Sequence, residues 1–159
     1  MNLELFSIVI AFCGFAFGLY QFHENSKIKR AETLSKLIFR LWSDEEIRSV
    51  VNMFEYNDNW FDTDFHGTEK EIIIDKTLQY LSFICYLYKH GILQEDEFNL
   101  FRYEISHLFK NRSAIKYMEY LFCFSRSELG KGDGIPFPFQ ALLSYGLENN
   151  LIKGEVFSS

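Results

Sequence analysis

With 159 residues the chain has room for one domain plus an anchor and excludes two full domains. A net charge of −6, spread unevenly, excludes a general polyanion binder. Three cysteines without framework spacing exclude a disulfide scaffold and point to reduced, buried thiols: Cys13 in the first apolar run, Cys85 and Cys123 in apolar runs of later helices.

Residues 5–22 form an apolar run with only Ser7 and Gln21 as polar interruptions. Extended slightly, to Leu3 and His23, such a helix rises roughly 30 Å, the thickness of a hydrocarbon core. A cleaved signal peptide would need a positive segment before the run and an Ala-x-Ala site after it. The only charge before the run is Glu4, and QFHENSKIKR after it offers no such site. A single transmembrane helix over residues 1–24 is therefore expected. Lys27, Lys29 and Arg30 follow the run and nothing basic precedes it, which places the N-terminus outside and the C-terminal part in the cytoplasm.

Ser7, Ala11, Gly14 and Gly18 are spaced four, three and four residues apart, so they share one helix face, and Gly14 and Gly18 form a GxxxG motif. Helices in lipid associate where small residues let backbones approach, so this face predicts self-association. Gln21 and Asn25 continue the phase and give the same face a polar end, the arrangement of a pore lining as well as of an interface.

From His23 to Trp42 five bases (Lys27, Lys29, Arg30, Lys36, Arg40) face two acids, Glu24 and Glu32. This neck, residues 25–42, carries the orientation signal and can touch anionic headgroups. Bundled in an oligomer, it could ring a pocket for a nucleotide or oligonucleotide regulator. Ile28, Ala31, Leu34, Leu37, Ile38, Leu41 and Trp42 recur at helical spacing, and no Pro or Gly interrupts residues 19–42, so one helix is expected to run on from the membrane into the domain.

Residues 43–149 read as a helical bundle, with 150–159 as a tail. Ser43 with Glu46 predicts a helix start ahead of Ile47, Val50, Val51 and Phe54; Thr68 with Glu71 predicts another, over 69–90, stopped by Gly91. That helix is apolar nearly all round between Leu78 and Tyr88, which predicts central burial. Helices over 95–110 (Phe98, Phe101, Ile105, Leu108 and Phe109 inward) and 113–126 (opened by Ser113) follow. A loop over 130–138 and a short helix over 139–147 complete an all-α chain.

No segment carries a catalytic, metal or cofactor motif. Asp62, Asp64, His66 and Gly67 start like a calcium loop, but its twelfth position is Ile73 where a Glu is needed. Trp60, Phe61 and Phe65 in that loop are expected to plug the bundle. A phosphate loop around Gly130, Lys131, Gly132 and Gly134 fails because Ser125 and Gly132 stand where glycine and a hydroxyl residue are required. His23, His66, His90 and His107 have no ligand spacing.

The segments SKIKRAETLSKLIFRLWSDEEIRSV and DKTLQYLSFICYLYKHGILQEDEF resemble a widespread group of uncharacterised bacterial proteins with one N-terminal span and a small cytoplasmic helical domain, over roughly residues 5–125. The resemblance implies a topology and a bacterial inner-membrane location. It carries over no catalytic residue. The expectation is a non-enzymatic, homo-oligomeric membrane effector or sensor, in concrete form a small gated channel in stress or anti-phage defence; the alternative is a tethered adaptor for a cytoplasmic protein partner.

Overall fold

The computed structural model describes residues 3–128, 137–153 and 157, with the side chains of residues 3–6, 9 and 63 outside the description. The expected loop at 130–138 therefore lies, up to residue 136, outside the described residues. Six helices and no strand are found among the rest: α1 (Leu3–Ser43), α2 (Glu45–Tyr56), α3 (Glu69–Lys89), α4 (Glu95–Lys110), α5 (Arg112–Glu128) and α6 (Gln140–Glu148), with a 3-10 turn at Thr63–Phe65. The chain is all-α. It divides into two units, Met1–Phe39 and Arg40–Ser159.

In the first unit α1 is unbroken through both glycines. Ile8, Ile10, Phe12, Phe15, Phe17, Leu19, Tyr20 and Phe22 are 55–72% exposed. They lie around the helix on either side of the face that carries Ser7, Ala11, Gly14 and Gly18, and leave that face free of large side chains. No helix among the described residues is long and apolar enough to cross a membrane; the side chains of Leu5, Phe6 and Val9 fall outside that description.

The neck departs from expectation in how its apolar residues divide. Leu37 and Leu41 are buried and Leu34 and Ile38 half-buried, but Ile28 and Trp42 are each 56% exposed, Ala31 is exposed, and Phe39 is 70% exposed. The apolar positions form one wide arc of the helix, of which the side with Leu37 and Leu41 is buried and the side with Ile28 and Phe39 is exposed; periodicity alone does not distinguish the two.

The second unit is a bundle around α3, which packs on α2, α4 and α6, while α4 also packs on α2 and α5. Ile74, Leu78, Leu81, Ile84, Cys85 and Leu87 are buried as the apolar run predicts, whereas Phe83 and Tyr86 in the same run are 50% and 46% exposed, so the burial is not all round. Thr68 starts it by accepting the Glu71 N–H at 3.2 Å, and Gly91 ends it at φ 68°, a conformation that glycine adopts without a Cβ clash. The five α4 residues expected inward are all buried.

Two starts are misplaced by the sequence. The cap of α2 is Asp44, whose carboxylate accepts from the Glu46 and Ile47 N–H groups at 3.2 and 3.3 Å, whereas Ser43 is the last residue of α1. Asp is as good a cap as Ser, and here Lys76, 2.8 Å away, holds the Asp44 carboxylate below its usual range.

Asn111, not Ser113, caps α5. Its side-chain oxygen accepts from the Ala114 N–H at 2.9 Å and from the Trp60 indole N–H at 3.1 Å, while its amide donates to the Phe54 and Asn57 carbonyls at 3.1 and 2.8 Å. Ser113 instead donates to the Asp58 carbonyl at 2.6 Å and accepts from the Trp60 N–H at 3.2 Å. Together they clamp the 57–61 segment and seat Trp60 and Phe65 in the core beside Tyr117; Phe61 is half-buried against them. The aromatic plug is thus present. Of the thiols only Cys85 is buried; Cys13 and Cys123 are exposed.

Candidate functional site

The α1 face read from sequence is continuous and open. Ser7, Ala11, Gly14, Gly18, Gln21 and Asn25 are all exposed, and a Cβ added at Gly14 or Gly18 would meet nothing within 4 Å. Among the described residues, then, no packing demand explains the two glycines.

The five neck bases do not converge. Lys29 and Lys36 stand seven residues apart on one line of the helix and are exposed. Lys27 pairs with Glu24 at 2.9 Å, Arg30 is half-buried, and the Arg40 guanidinium sits over the Tyr80 ring at 5.4 Å, a cation–π contact.

Three polar features of the bundle have no motif in the sequence. The first is a relay at the start of α3. His66 Nδ1 lies 2.9 Å from Glu71, and the buried Tyr117 hydroxyl lies 3.0 Å from Glu71 and 2.8 Å from Asp75. Burial pushes the Glu71 carboxyl up, but His66, the Gly67 N–H and Tyr117 outweigh it and hold the group below its ordinary range. Burial raises Asp75, against the opposing hydrogen bond of Tyr117. The Tyr117 hydroxyl is thus positioned to donate to either carboxylate, Glu71 or Asp75. A sequence offers no signal for it, since the partners meet only when α5 packs on the loop.

The second is a cavity of about 680 Å³ lined by Cys85, Tyr88, Leu93, Tyr145, Lys89 and Glu148. Burial pushes the Cys85 thiol up to about 12, so it is protonated and a poor nucleophile at neutral pH. Lys89 and Glu148 approach to 3.5 Å, and Glu95 is engaged by Tyr88 and Arg102. Each of these charges thus has a partner of opposite sign at the wall.

The third is Glu104 on α4, only 5% exposed, with one carboxylate oxygen buried and without a partner. Burial raises it above its ordinary 4.5. Its ionised form therefore costs stability above the raised value, and that cost is relieved as pH falls through it toward 4.5. Glu104→Met is expected to stabilise the fold by about 1–2 kcal/mol at pH 7, because an apolar chain of similar reach replaces an uncompensated buried charge. Urea denaturation at pH 7 and at pH 4.5 checks this: the gain should shrink at the lower pH.

No group of three or more His, Cys, Asp or Glu among the described residues is placed to hold a metal ion. No protein-family model, curated protein or solved structure matches the chain.

Proposed function

We propose that the chain is a homo-oligomeric effector or sensor of a bacterial inner membrane, with α1 as its single span and the helical bundle on the cytoplasmic side. One observation carries the reading: between Ile8 and Phe22 large apolar side chains ring most of α1 outside its small-residue face, and they are more than half exposed. Each gains about 1.5–3 kcal/mol on full burial, so leaving the set in water forfeits on the order of 10 kcal/mol, whereas lipid accommodates it. Lys27, Lys29 and Arg30 then sit at the inner headgroups, where such residues accumulate. The open small-residue face supplies the contact between copies, and Gln21 and Asn25 give it an end that water can wet.

The test is expression without regulatory neighbours. Wild type is expected to enter the membrane fraction, place a reporter fused after Ser159 in the cytoplasm, and lower the membrane potential. Gly14→Leu, which fills the space along the small-residue face, is expected to keep the location and lose the depolarisation. A periplasmic reporter overturns the topology. An unchanged potential with wild type replaces the effector by an adaptor, for which the exposed Ile72, Phe83 and Tyr86 of α3 provide an apolar docking surface.

A further inference from the structure

We infer that the neck of α1 is itself an assembly surface, on which a second copy of this chain docks in parallel and in register through Asn25, Ile28, Glu32, Ser35 and Phe39. The inference rests on the homo-oligomeric reading and extends it from the small-residue face to the part of the helix beyond the apolar run.

The 4-3 spacing of Ser7, Ala11, Gly14, Gly18, Gln21 and Asn25 does not stop at Asn25. It continues without a slip through Ile28, Glu32, Ser35 and Phe39, so these residues fall on one seam with the heptad period of a coiled coil. Every one of them is exposed, and the two large apolar members, Ile28 and Phe39, are 56% and 70% exposed. Leu37, which lies on another side of the helix, is buried. The exposed stripe through Ile28 and Phe39 is thus distinct from the buried side of the neck at Leu37.

Charge decides the occupant. In this register Ala11, Gly18, Asn25, Glu32 and Phe39 hold the first core position, and Gly14, Gln21, Ile28 and Ser35 the second. Glu24 and Lys29 then flank the seam five residues apart, the pair of sites that meet across a parallel interface, so Glu24 of each copy faces Lys29 of the next. Both side chains reach solvent; the Glu24 carboxylate, although paired with Lys27, is 42% exposed. An antiparallel partner would not bring these sites together. Asn25, a polar residue at a core position, hydrogen-bonds across the seam only to its own counterpart and so fixes the register. Glu32 is the one charge in the seam, and Lys29 and Lys36 stand one turn before and after it on the same helix, which offsets its charge. A seam with so few apolar residues is weak in isolation. Spans already held together raise the effective concentration of necks enough for a weak seam to close.

The experiment uses the full chain in native membranes, in a Cys13→Ser/Cys123→Ser background that keeps the buried Cys85. Single cysteines are placed on the seam (Asn25→Cys, Glu32→Cys, Ser35→Cys, Phe39→Cys) and off it (Ser26→Cys, Lys27→Cys, Thr33→Cys), and mild oxidation is followed on non-reducing gels. Seam positions are expected to form disulfide dimers at least about tenfold faster than the others, since only they approach within bridging distance. Glu24→Lys should slow linkage at Ser35→Cys, and adding Lys29→Glu should restore it. Equal rates on and off the seam, or no restoration by the double reversal, overturn the neck seam. If the same protein still runs as an oligomer in detergent, self-association through the span stands without it; a monomer in detergent removes both.

Discussion

Asn111→Ala is expected to lower the unfolding free energy by about 3–5 kcal/mol. The side chain is 1% exposed and joins four partners: the Trp60 indole, the Ala114 N–H and the carbonyls of Phe54 and Asn57. Alanine deletes the cap of α5, worth about 1 kcal/mol, and leaves a buried indole N–H and two carbonyls unsatisfied at about 1–3 kcal/mol each before relaxation. The measurement is urea denaturation of the full chain in detergent, followed by tryptophan fluorescence and far-ultraviolet dichroism. A loss below about 1 kcal/mol would show that water replaces the amide, contrary to its burial. Asn111→Asp should be worse than alanine at pH 7, because it aims a carboxylate oxygen at two carbonyls 2.8 and 3.1 Å away, and should recover in part as the carboxyl protonates.

Gly146→Val is expected to cost about 2–3 kcal/mol. A glycine inside α6 is itself unfavourable, by about 1 kcal/mol against alanine, so the position needs a reason. A Cβ there would lie 2.7 Å from the Phe109 ring and 3.2 Å from Ile152. Phe109 is buried on α4 and has little room to yield. Gly146→Ala alone should therefore destabilise despite its better helix propensity, and Phe109→Leu should absorb much of that loss. The double-mutant cycle in the same denaturation assay reads the coupling directly; additive losses would show that the ring does not set the fit.

The local parts of the fold were legible. The Thr68 cap, the Gly91 stop and the inward side of α4 follow from interactions within a few residues, which a sequence displays. The Ser43 and Ser113 errors have a shared cause: cap chemistry is common to Ser, Asp and Asn, and Asp44 and Asn111 were the better-placed competitors. Ser113 was free to clamp a distant loop only because Asn111 had taken the α5 start. The split of the neck into two apolar sides was hidden because periodicity reports spacing and not which neighbours arrive. The small-residue face was visible as a pattern, and the structure adds that the chain leaves it open. The relay of His66, Glu71, Tyr117 and Asp75, the cavity and the stranded Glu104 had no signal at all; each arises from packing between elements far apart in sequence.

The Asn111 clamp also bears on the order of events in folding. Its bonds to Trp60 and Phe54 close loops of 51 and 57 residues, whereas the turns that bound α3 close within six. Long closures lose chain entropy before any contact rewards them, so local helices and their caps precede the clamp. An interaction absent from the transition state affects escape from the native basin and not entry into it. The large equilibrium loss from Asn111→Ala should accordingly appear as faster unfolding with a nearly unchanged refolding rate, which makes this one amide a determinant of how long the helical bundle persists once formed.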